Sequence, residues 1–420
     1  MTLTKLPADW EVKSLGQLGR VVRGASPRPA GDPRYFNGTF IPWLTVASLT
    51  AIPASQLRVE RTASGLTEEG AKRSRTLQPE TVVISNSGAT LGVAKVLGIK
   101  CCANDGIAAI VDQHSGDKYF LCYYLNTQTT YLRDVVASGN GQPNLNTSLI
   151  REIQVPLPPE SEQLAIARVL ADADSLLESL GALIVKKRAI KQGLMQELLA
   201  GRTRLSGFSE PWRVVRLGHH VSYVKNVALS RAQLDSSSPL RCLHYGDIHT
   251  RSTPVLNASE EEMPRAPKAL ARNAGFLQVG DLVFADASED PDGVGKSVEI
   301  TGVPIDGVVP GLHTIAARFD KRVLADGFKA YLQNIEIFRQ QLLALAAGTK
   351  VLATTRSYIS SVELNLPGVA EQSAIAAVLQ DADAEIETLE RRLKAIRAIK
   401  QGLMQELLTG RTRLIAEGAA

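Results

Sequence analysis

One stretch of this chain occurs twice, and this repeat constrains the possible folds more than any other feature. The residues RAIKQGLMQELL at 188–199 return unchanged at 397–408, and each copy is followed one residue later by GRTRL. The copies lie 209 positions apart in a chain of 420 residues. An exact internal match of this length indicates a duplicated unit. The sequence therefore predicts two tandem units.

The repeated frame is longer than these copies, but the sequence that it encloses differs. Residues 10–16 (WEVKSLG) match residues 212–218 (WRVVRLG), whereas 17–156 and 219–365 show no comparable alignment. Two inserts of different sequence therefore belong to one repeated frame. Further motifs repeat at the 209-residue offset, namely Glu162-Gln163 with Glu371-Gln372 and Asp172-Ala173-Asp174 with Asp381-Ala382-Asp383.

Both copies of the frame have the periodicity of a long helix. Their apolar residues alternate at spacings of three and four, as in a coiled-coil heptad. Prolines precede each stretch, and Gly201 and Gly410 follow it, which is typical of helix ends. About 40 residues, each adding about 1.5 Å, predict a rod of roughly 60 Å. Lysines interrupt the apolar stripe at Lys187, Lys191 and Lys400.

Two such helices in one chain favour antiparallel pairing, as expected if the two units are related by a pseudo-twofold axis. The alternative is that each helix forms the core of its own domain, although about 40 residues exceeds the usual length of a globular helix. Gly193 and Gly402 lie inside the two helices. Close approach of a partner backbone, a local kink or common ancestry alone would each explain these glycines.

The inserts have the pattern of mixed domains with short strands and turns. Residues 81–98 predict two strands joined by a polar turn, and residues 280–300 repeat this pattern. The sequence therefore predicts a mixed α+β fold, in which two long antiparallel coiled-coil helices separate two globular α/β domains in a pseudo-twofold tandem repeat. The expected boundaries are 1–158 for the first domain, 159–207 for the first helix and linker, 208–367 for the second domain, and 368–420 for the second helix and C-terminal tail.

Composition argues against a disordered or membrane-spanning chain. Hydrophobic residues make up 44% and charged residues 21%, as in ordinary globular proteins. No stretch approaches the roughly 20 apolar residues that span a bilayer, and the first residues lack the pattern of a signal peptide. The four cysteines have no paired spacing, which favours reduced thiols over a disulfide framework or a zinc site. We expect a soluble, cytoplasmic protein.

The positive charge of the chain lies in its first part. The net charge is +4, and the first 159 residues alone carry +4. Basic loops of this kind neutralise the phosphates of nucleic acids, although a solvated surface is the alternative interpretation. One acid, Asp32, accompanies four arginines over fifteen residues: Arg20, Arg23, Arg28 and Arg34.

Two motifs suggest nucleotide or metal binding, but neither is complete. Gly293–Ser297 (GVGKS) resembles the end of a phosphate-binding P-loop, yet Asp290 occupies the position of the first glycine. The neighbouring acids would repel phosphate, so the pattern predicts a turn. The segment LHYGDIHT contains His244, Asp247 and His249, for which three interpretations stay open: a metal site, a loop that reads bases or phosphates, and a buried hydrogen-bonded cluster.

Motifs of common catalytic sites do not occur in the sequence. It contains no G-x-S-x-G elbow, no H-E-x-x-H helix, no complete G-x-G-x-x-G after a strand, and no N-P-P-[YF] run of the amino-methyltransferases. A full nucleolytic arrangement of Asp with Glu-x-Lys is also missing. We therefore expect no catalysis by this chain. Two unlike inserts on a duplicated rod, with basic loops, favour a reader of two half-sites whose separation the rod sets.

Together these motifs resemble the specificity subunit of type I DNA restriction-modification systems over nearly the whole chain. The unit starts WEVKSLG and WRVVRLG, the junctions LPPESEQLAIA and LPGVAEQSAIA, and the helix ends KQGLMQELL with GRTRL carry this resemblance. Within the inserts, four segments are similar to the target recognition domains of that family: SGATLGVAKV, GQPNLNTSLIREIQVPLP, HYGDIHT and GTKVLATTRSYISSVELNLP.

The resemblance implies a sequence-specific DNA-binding subunit without catalytic activity. Each target recognition domain is expected to read one half of a bipartite, asymmetric site, while the helices set the spacing and dock methyltransferase subunits. The implied partners are double-stranded DNA, two modification methyltransferase subunits and restriction (translocase) subunits, with no membrane. No cofactor is expected in this chain, because S-adenosylmethionine belongs to the modification subunits, and ATP and Mg²⁺ belong to the restriction subunits.

Candidate residues are assigned to these roles. We expect DNA contacts in the first domain from Arg23, Arg28, Arg34 and Asn86, and in the second domain from His244, Tyr245, His249, Lys350 and Arg356. Methyltransferase docking is expected at Gln192, Leu194, Gln196, Gln401, Leu403 and Gln405. Two other functions stay open, namely a coiled-coil adaptor that binds no DNA and an NTPase centred on Lys296.

Overall fold

The computed structural model describes residues 6–88, 90–137, 144–346 and 352–414. By its internal contacts the chain divides into two compact units. Unit 1 comprises Met1–Leu183 and Arg391–Ala420, and unit 2 comprises Ile184–Glu390. Each unit therefore contains one insert, the beginning of one long helix and the end of the other. The linear domain boundaries given above stay a prediction.

The insert of unit 1 forms two sheets and a short strand pair. Its elements are β1 (Glu11–Ser14), α1 (Leu15–Leu18), β2 (Arg20–Arg23), β3 (Phe36–Leu44), α2 (Val46–Thr50), β4 (Arg58–Val59), β5 (Ser64–Leu66), α3 (Glu68–Lys72), β6 (Arg75–Leu77), β7 (Val82–Ser85), β8 (Ala94–Leu97), β9 (Cys101–Ala103), β10 (Ile107–Val111), α4 (Lys118–Thr127), α5 (Thr129–Tyr131), a π-helical turn (Leu132–Val136), α6 (Thr147–Glu152), β11 (Gln154–Leu157) and the long helix α7 (Glu160–Leu198). The sheets have the orders β2-β10-β7-β8-β4 and β5-β3-β9-β6, and β1 pairs with β11.

The five-stranded sheet of unit 1 is buried on both faces. Successive side chains of a strand point to opposite faces, so a central strand contributes to two cores. Val82 and Ile84 of β7 pack with α4 and the beginning of α7. Val83, between them, packs with Leu44 of β3 and Cys101 of β9 from the other sheet. The apolar run of Val82, Val83 and Ile84 in β7 follows from this position.

The insert of unit 2 repeats this plan with different residues. Its elements are β12 (Arg213–Arg216), β13 (Val221–Val224), β14 (Arg241–Leu243), α8 (Tyr245–His249), β15 (Val255–Asn257), β16 (Leu282–Ala285), β17 (Ala287–Ser288), β18 (Ser297–Gly302), β19 (Val308–Pro310), β20 (Thr314–Phe319), α9 (Glu336–Leu345), β21 (Leu352–Ala353), α10 (Arg356–Ser361), β22 (Glu363–Leu366) and the long helix α11 (Val369–Leu407), with 3-10 turns at Leu217–His219, Arg231–Gln233, Pro291–Gly293 and Lys329–Asn334.

The strand orders show that the two inserts are built alike. The five-stranded sheet of unit 2 has the order β13-β20-β16-β18-β15, which corresponds strand for strand to that of unit 1. The parallel pair β14 and β19 likewise corresponds to the parallel contact between β3 and β9. The antiparallel pair β12 and β22 corresponds to β1 and β11. The predicted mixed fold with two similar domains is therefore confirmed.

The two long helices begin and end where the sequence predicts. Each has 39 residues, and each starts within two residues of a proline. In the turns that follow, Gly201 and Gly410 have φ values of +67° and +70°. Glycine adopts this left-handed conformation without a Cβ clash, so both glycines fit a helix C-terminus. None of the helices in the described part of the chain is long and apolar enough to cross a membrane.

Within each unit the two long helices run antiparallel. In unit 2, Lys187 of α7 pairs with Glu385 of α11 at 2.7 Å, and Lys191 pairs with Asp383. Because the partner's number falls as the lysine's number rises, the helices run in opposite directions. The lysines that interrupt the apolar stripe are therefore ion-paired across the helices. Unit 1 has two corresponding pairs, Asp174 with Lys400 and Glu162 with Arg413.

Gly193 and Gly402 do not mark a close contact of helices. A Cβ atom placed at either position meets no described atom within 4 Å. Close approach of a partner backbone, one of the explanations left open by the sequence, is therefore not supported by the described residues.

All four cysteines are free and buried. Burial raises the pKa of Cys101 and of Cys242 to about 12, so these thiols stay protonated near neutral pH. Cys101 lies in β9, whereas Cys242 lies in β14, the counterpart of β3, which is the strand that pairs with β9 in unit 1. The prediction that the cysteines are packing residues agrees with this burial.

Candidate nucleic-acid interface

The same corner of both inserts collects polar side chains, and we call it the recognition edge. In unit 1, β7 pairs antiparallel with β10, so that Ser85 at the end of β7 lies opposite Ile107 at the start of β10. In unit 2, Ala285 of β16 lies opposite Thr314 of β20 in the same way. Residues just after the first strand and just before the second therefore meet, although they are distant in sequence.

Asp105 organises the recognition edge of unit 1. Its backbone carbonyl accepts hydrogen bonds from Arg23 Nε at 2.5 Å and from Asn86 Nδ2 at 3.3 Å. Its carboxylate accepts one from Ser26 Oγ at 2.6 Å and pairs with Arg28 at 3.4 Å. The hydrogen bond from Ser26, with the charges of both arginines, lowers the pKa of Asp105, which is therefore ionised at neutral pH.

Two amide oxygens at this edge have no hydrogen-bond partner among the described residues. They are Oδ1 of Asn86, a residue with 1% of its surface exposed, and Oδ1 of Asn104. Buried polar atoms are nearly always hydrogen-bonded in folded proteins, so such atoms mark places where a water or a ligand supplies the missing partner. The edge thus combines two guanidinium donors with two unused acceptors.

Arg34 belongs to a different group from the other predicted arginines. It pairs with Asp32 at 2.7 Å, and its guanidinium lies 5.3 Å from the ring centroid of Tyr35. Arg73 lies over the same ring at 4.7 Å. The structure therefore brings together Arg23, Arg28 and Asn86 around Asp105, and it separates Arg34 from their hydrogen-bonded network.

Tyr245 is the centre of an aromatic cluster at the recognition edge of unit 2. Its ring centroid lies 4.5 Å from that of His244, 5.4 Å from His313 and 6.2 Å from His249. Local hydrogen bonds position these rings. The backbone N–H of His244 donates to Asp247 Oδ2 at 3.0 Å at the start of α8, and His249 Nε2 lies 2.9 Å from the carbonyl oxygen of Ala287.

The histidines of this cluster differ in exposure. His244 has 2% of its surface exposed, and its Nε2 atom has no hydrogen-bond partner in the described part of the chain. Burial, assisted by the charge of Arg231, lowers the pKa of His244. His313 is half exposed, and its Nδ1 atom lies 3.1 Å from Asp286 Oδ1. Of the three interpretations left open for LHYGDIHT, a hydrogen-bonded cluster fits His244, whereas Tyr245 and His313 are accessible to a ligand.

Four residues of the recognition edges were missed by the sequence-based assignment. They are Asn104 and Asp105 in unit 1, and Asp286 and His313 in unit 2. A signal was present, because both edges place polar residues in a short turn between two apolar strands, CCA-NDG-IAAIV and VVP-GLH-TIAARF. An alignment of these strands would have placed the two turns at equivalent positions.

Two further residues of the second domain were predicted to contact DNA, and neither belongs to the cluster of Tyr245 as the structure describes it. Arg356 begins α10, and its guanidinium lies 5.5 Å from the ring centroid of Tyr223. The hydroxyl of Tyr223 donates to the carbonyl oxygen of Arg356 at 2.8 Å. Lys350 lies outside the described residues.

The segment that resembles a P-loop is a turn, as predicted. Pro291–Gly293 form a 3-10 turn capped by Asp290, whose side chain accepts from the backbone N–H of Asp292. Lys296 Nζ donates to the carbonyl oxygen of His249 at 2.5 Å. The lysine thus joins two segments of unit 2 and is already engaged. Among the described residues, no group of three His, Cys, Asp or Glu side chains could hold a metal ion.

In each unit, residues of the repeated frame form the same contacts around the two long helices, and we call these contacts the frame clamps. In unit 1, Arg413 donates to Glu162 at 2.8 Å, and Trp10 Nε1 lies 3.3 Å from the same carboxylate. In unit 2, Arg204 and Trp212 contact Glu371 at 2.7 and 3.3 Å. Each unit thus binds the segment after one long helix to the beginning of the other.

A second clamp lies further along each helix pair. In unit 1, Asp174 accepts a hydrogen bond from Tyr123 Oη at 2.8 Å and pairs with Lys400 at 2.5 Å. In unit 2, Asp383 accepts from Tyr331 Oη at 2.9 Å and pairs with Lys191. The second aspartate of the repeated Asp-Ala-Asp motif therefore accepts from a tyrosine and pairs with a lysine in both copies.

The predicted docking residues fall into two groups. Gln192, Gln196, Gln401 and Gln405 are exposed. Two of them, Gln192 and Gln196, line a groove of about 650 Å³ in unit 2, between the end of α7 and the beginning of α9. Leu194 and Leu403 are partly buried against the cores of unit 2 and unit 1. These leucines stabilise their own units, so the exposed glutamines are the better candidates for docking.

Comparisons with known proteins agree with this architecture. Residues 7–185 match the family model of the type I restriction modification DNA specificity domain. The chain is 23% identical to the type I restriction enzyme MjaVIII specificity subunit of Methanocaldococcus jannaschii, over 98% of this chain and 94% of that protein. It is 21% identical to the EcoKI specificity subunit of Escherichia coli, over 97% and 89%.

A solved structure shows the same fold. The type I restriction-modification S subunit from M. genitalium superposes with a TM-score of 0.58 at 13% identity, covering 96% of this chain and 98% of that one. The matching strand orders and the duplicated clamps show that unit 2 repeats the plan of unit 1, which holds nearly all residues of the family model. Residues 7–185 are therefore similar to the type I restriction modification DNA specificity domain, and the chain over nearly its whole length is similar in sequence and in fold to type I specificity subunits.

Proposed function

We propose that this chain selects the DNA sequence for a type I restriction-modification complex by reading a bipartite, asymmetric site. The insert of unit 1 reads one half-site and the insert of unit 2 reads the other. The observation that carries this proposal is the contrast between the recognition edges. The corresponding edges of the two inserts present arginine and asparagine in unit 1 but tyrosine and histidine in unit 2, so the half-sites differ in sequence.

The chemistry of the edges suits DNA. Arginine guanidinium groups bind phosphates and the acceptors of guanine, and asparagine amides match the edge of adenine. In unit 1, Asp105 holds Arg23 and Arg28 beside Asn86, so their geometry is fixed before DNA binds. The cluster of Tyr245 in unit 2 offers a ring edge and imidazole nitrogens instead. The two edges therefore present different sets of hydrogen-bond donors and acceptors.

The long helices serve, in this proposal, as spacer and as docking surface. Two modification methyltransferase subunits dock at the exposed glutamines near the helix ends, one set being Gln192 and Gln196 and the other Gln401 and Gln405. Restriction subunits join this complex. The chain needs no cofactor of its own, since the modification subunits bind S-adenosylmethionine, and the restriction subunits bind ATP and Mg²⁺.

Mapping of modified bases tests this function. Cells that carry the chain with its methyltransferase subunit are expected to show methylation at two specific motifs separated by a fixed gap. Replacement of residues 219–365 by the insert of a related specificity subunit should change one motif and leave the other motif and the gap unchanged. A change in both motifs, or in neither, contradicts the assignment of one half-site to each unit.

A binding measurement separates this function from that of an adaptor without DNA. The purified complex with methyltransferase is expected to shift a duplex that contains the mapped site, and log affinity should fall linearly with log salt. A docking test uses Gln192→Glu together with Gln196→Glu, matched to the same pair of changes at Gln401 and Gln405. Each pair should release one methyltransferase subunit, and an unchanged subunit ratio argues against docking at these glutamines.

A further inference from the structure

One polar pair at the recognition edge of unit 2 has no counterpart in unit 1. His313 precedes β20, and its backbone φ is +56°. Residues other than glycine seldom adopt this left-handed conformation, and those that do cluster at functional sites. The equivalent position before β10 is Gly106, which has no side chain. The edge of unit 2 therefore carries an imidazole where unit 1 offers only backbone.

The hydrogen bond to Asp286 determines what His313 offers to a ligand. Nδ1 of His313 lies 3.1 Å from Asp286 Oδ1, so Nδ1 carries the proton and donates. The other ring atom, Nε2, makes no hydrogen bond with the described residues. In the neutral ring Nε2 is an acceptor, whereas in the imidazolium it is a donor.

The groups around His313 keep the ring in place. The ring of Tyr245 meets it edge to face with centroids 5.4 Å apart, and the backbone N–H of Thr354 donates to the carbonyl oxygen of Asp286 at 2.7 Å. The other titratable or charged groups of the cluster are His244 and His249, which pack on Tyr245, and Asp247 and Arg231, which lie 4.0 Å apart beside His244. Asp286 is thus the carboxylate hydrogen-bonded to the imidazole.

We propose that His313, as an imidazolium held by Asp286, donates a hydrogen bond from Nε2 to an acceptor on a base edge in the second half-site. The acceptor is of the kind presented by O6 or N7 of guanine in the major groove. The inference rests on the proposed function and adds to it a residue and a protonation state. Because unit 1 has Gly106 at this position, proton-dependent reading is confined to one half-site.

The test measures base discrimination at two pH values. The complex of the full chain with its methyltransferase is titrated with duplexes in which each base pair of the mapped site is replaced singly, at pH 6 and at pH 8.5. At one position of the second half-site, discrimination is expected to fall roughly tenfold between these pH values, because a good base contact is worth about 1–3 kcal/mol. Discrimination throughout the first half-site should not change with pH.

Two substitutions of the same histidine keep the test independent of folding. His313→Asn preserves a residue type that tolerates positive φ, and His313→Gln preserves a side-chain amide at longer reach. Both are expected to remove the pH dependence and to reduce discrimination at pH 6 to the wild-type value at pH 8.5. His219→Gln, at an exposed histidine outside the cluster, is the matched control and should behave as wild type.

The outcomes separate this inference from the function on which it rests. A uniform loss of affinity for all duplexes in the His313 variants assigns the histidine to a phosphate and overturns the base contact. Discrimination that is unchanged by pH and by both substitutions overturns the inference while the bipartite reading stands. A wild-type complex that binds all duplexes alike overturns both.

Discussion

The frame clamps have the same residues in both units of the duplicated chain, whereas the recognition edges have different residues. Both clamps repeat residue by residue, with Glu162 answered by Glu371 and Asp174 by Asp383. The edges keep the order of their strands, but they place arginine and asparagine in unit 1 where unit 2 has tyrosine and histidine. A buried charge tolerates few substitutions because its partner must be present in one geometry. An edge needs only its backbone platform, so its side chains are free to differ.

This comparison predicts that clamp variants reduce stability and that edge variants reduce DNA affinity. The largest effect is expected for Asp174→Ala. The change leaves Lys400, whose side chain is 14% exposed, without its carboxylate, and it also leaves Tyr123 Oη without an acceptor. Removal of one partner of a buried ion pair costs about 3–5 kcal/mol. Denaturant titration of the purified chain measures the loss in free energy of unfolding.

Two controls sharpen this prediction. Asp172→Ala changes the exposed aspartate of the same Asp-Ala-Asp motif and should have little effect. Asp383→Ala breaks the corresponding pair of unit 2, where the aspartate is 21% exposed, and should cost less than Asp174→Ala. Equal losses for Asp172→Ala and Asp174→Ala would refute the role of the clamp.

The next effect is a dependence of stability on pH at the first clamp of unit 1. Burial acts to raise the pKa of Glu162, but hydrogen bonds from Arg413, Trp10 and the N–H of Leu414 outweigh burial and lower this pKa. A carboxyl group whose pKa is lowered by folding stabilises the fold at pH values above its unfolded pKa of 4.5. This stabilisation is lost as the pH falls through the folded pKa. Glu162→Gln should therefore cost about 1.5–3 kcal/mol at neutral pH and progressively less in acid.

Unfolding curves between pH 3 and pH 7 test this dependence. Glu160→Gln, two residues earlier and exposed at the start of α7, is the matched control and should leave the curve unchanged. A loss in Glu162→Gln that is the same at every pH speaks against the ion pair with Arg413 as its source.

A smaller effect on stability and a larger one on DNA affinity are expected for Asp105→Asn. The neutral amide loses the ion pair with Arg28 and weakens the hydrogen bond from Ser26, so the donors of the edge are no longer held in place. Affinity for the first half-site should fall roughly tenfold, as expected for loss of a well-placed contact. Asp112→Asn breaks an exposed ion pair with Arg20 and serves as control. Equal affinities for both variants would argue against Asp105 as the organiser of this edge.

The smallest effect is expected for Arg34→Ala. Arg34 is grouped with Arg73 over Tyr35, away from the network of Asp105, which suits a phosphate contact. Affinity should fall a few-fold for all sequences alike, and the slope of log affinity against log salt should decrease by about one. Titrations at several salt concentrations measure both quantities. A loss limited to one base position would place Arg34 among the base-reading residues instead.

The frame was predictable from the sequence because its signals are local and repeated. A heptad pattern, a preceding proline and a terminal glycine define each helix within about 40 residues. The exact copy then aligned Asp174 with Asp383 and Arg204 with Arg413. The ion pairs themselves were not predicted, because they join residues that are 167 to 251 positions apart.

The recognition edges were predicted only in part, for a physical reason. Asn86 and Tyr245 were selected from polar segments, but Asp105 and His313 act through strand register. Asp105 reaches Asn86 only because β7 and β10 pair with Ser85 opposite Ile107. A pairing of this kind depends on long-range packing, which the pattern of a single strand does not specify.

The discontinuity of unit 1 has a consequence for synthesis on the ribosome. Unit 2 is one continuous segment, whereas unit 1 lacks its last part until the chain from Arg391 onward has emerged. At roughly 5–20 residues per second, the 207 intervening residues take about 10–40 s. Until then Leu170 lacks Leu407 and Leu408, its neighbours in the core of unit 1. The domain that is translated first is therefore completed last, and its exposed apolar surface needs protection during that interval.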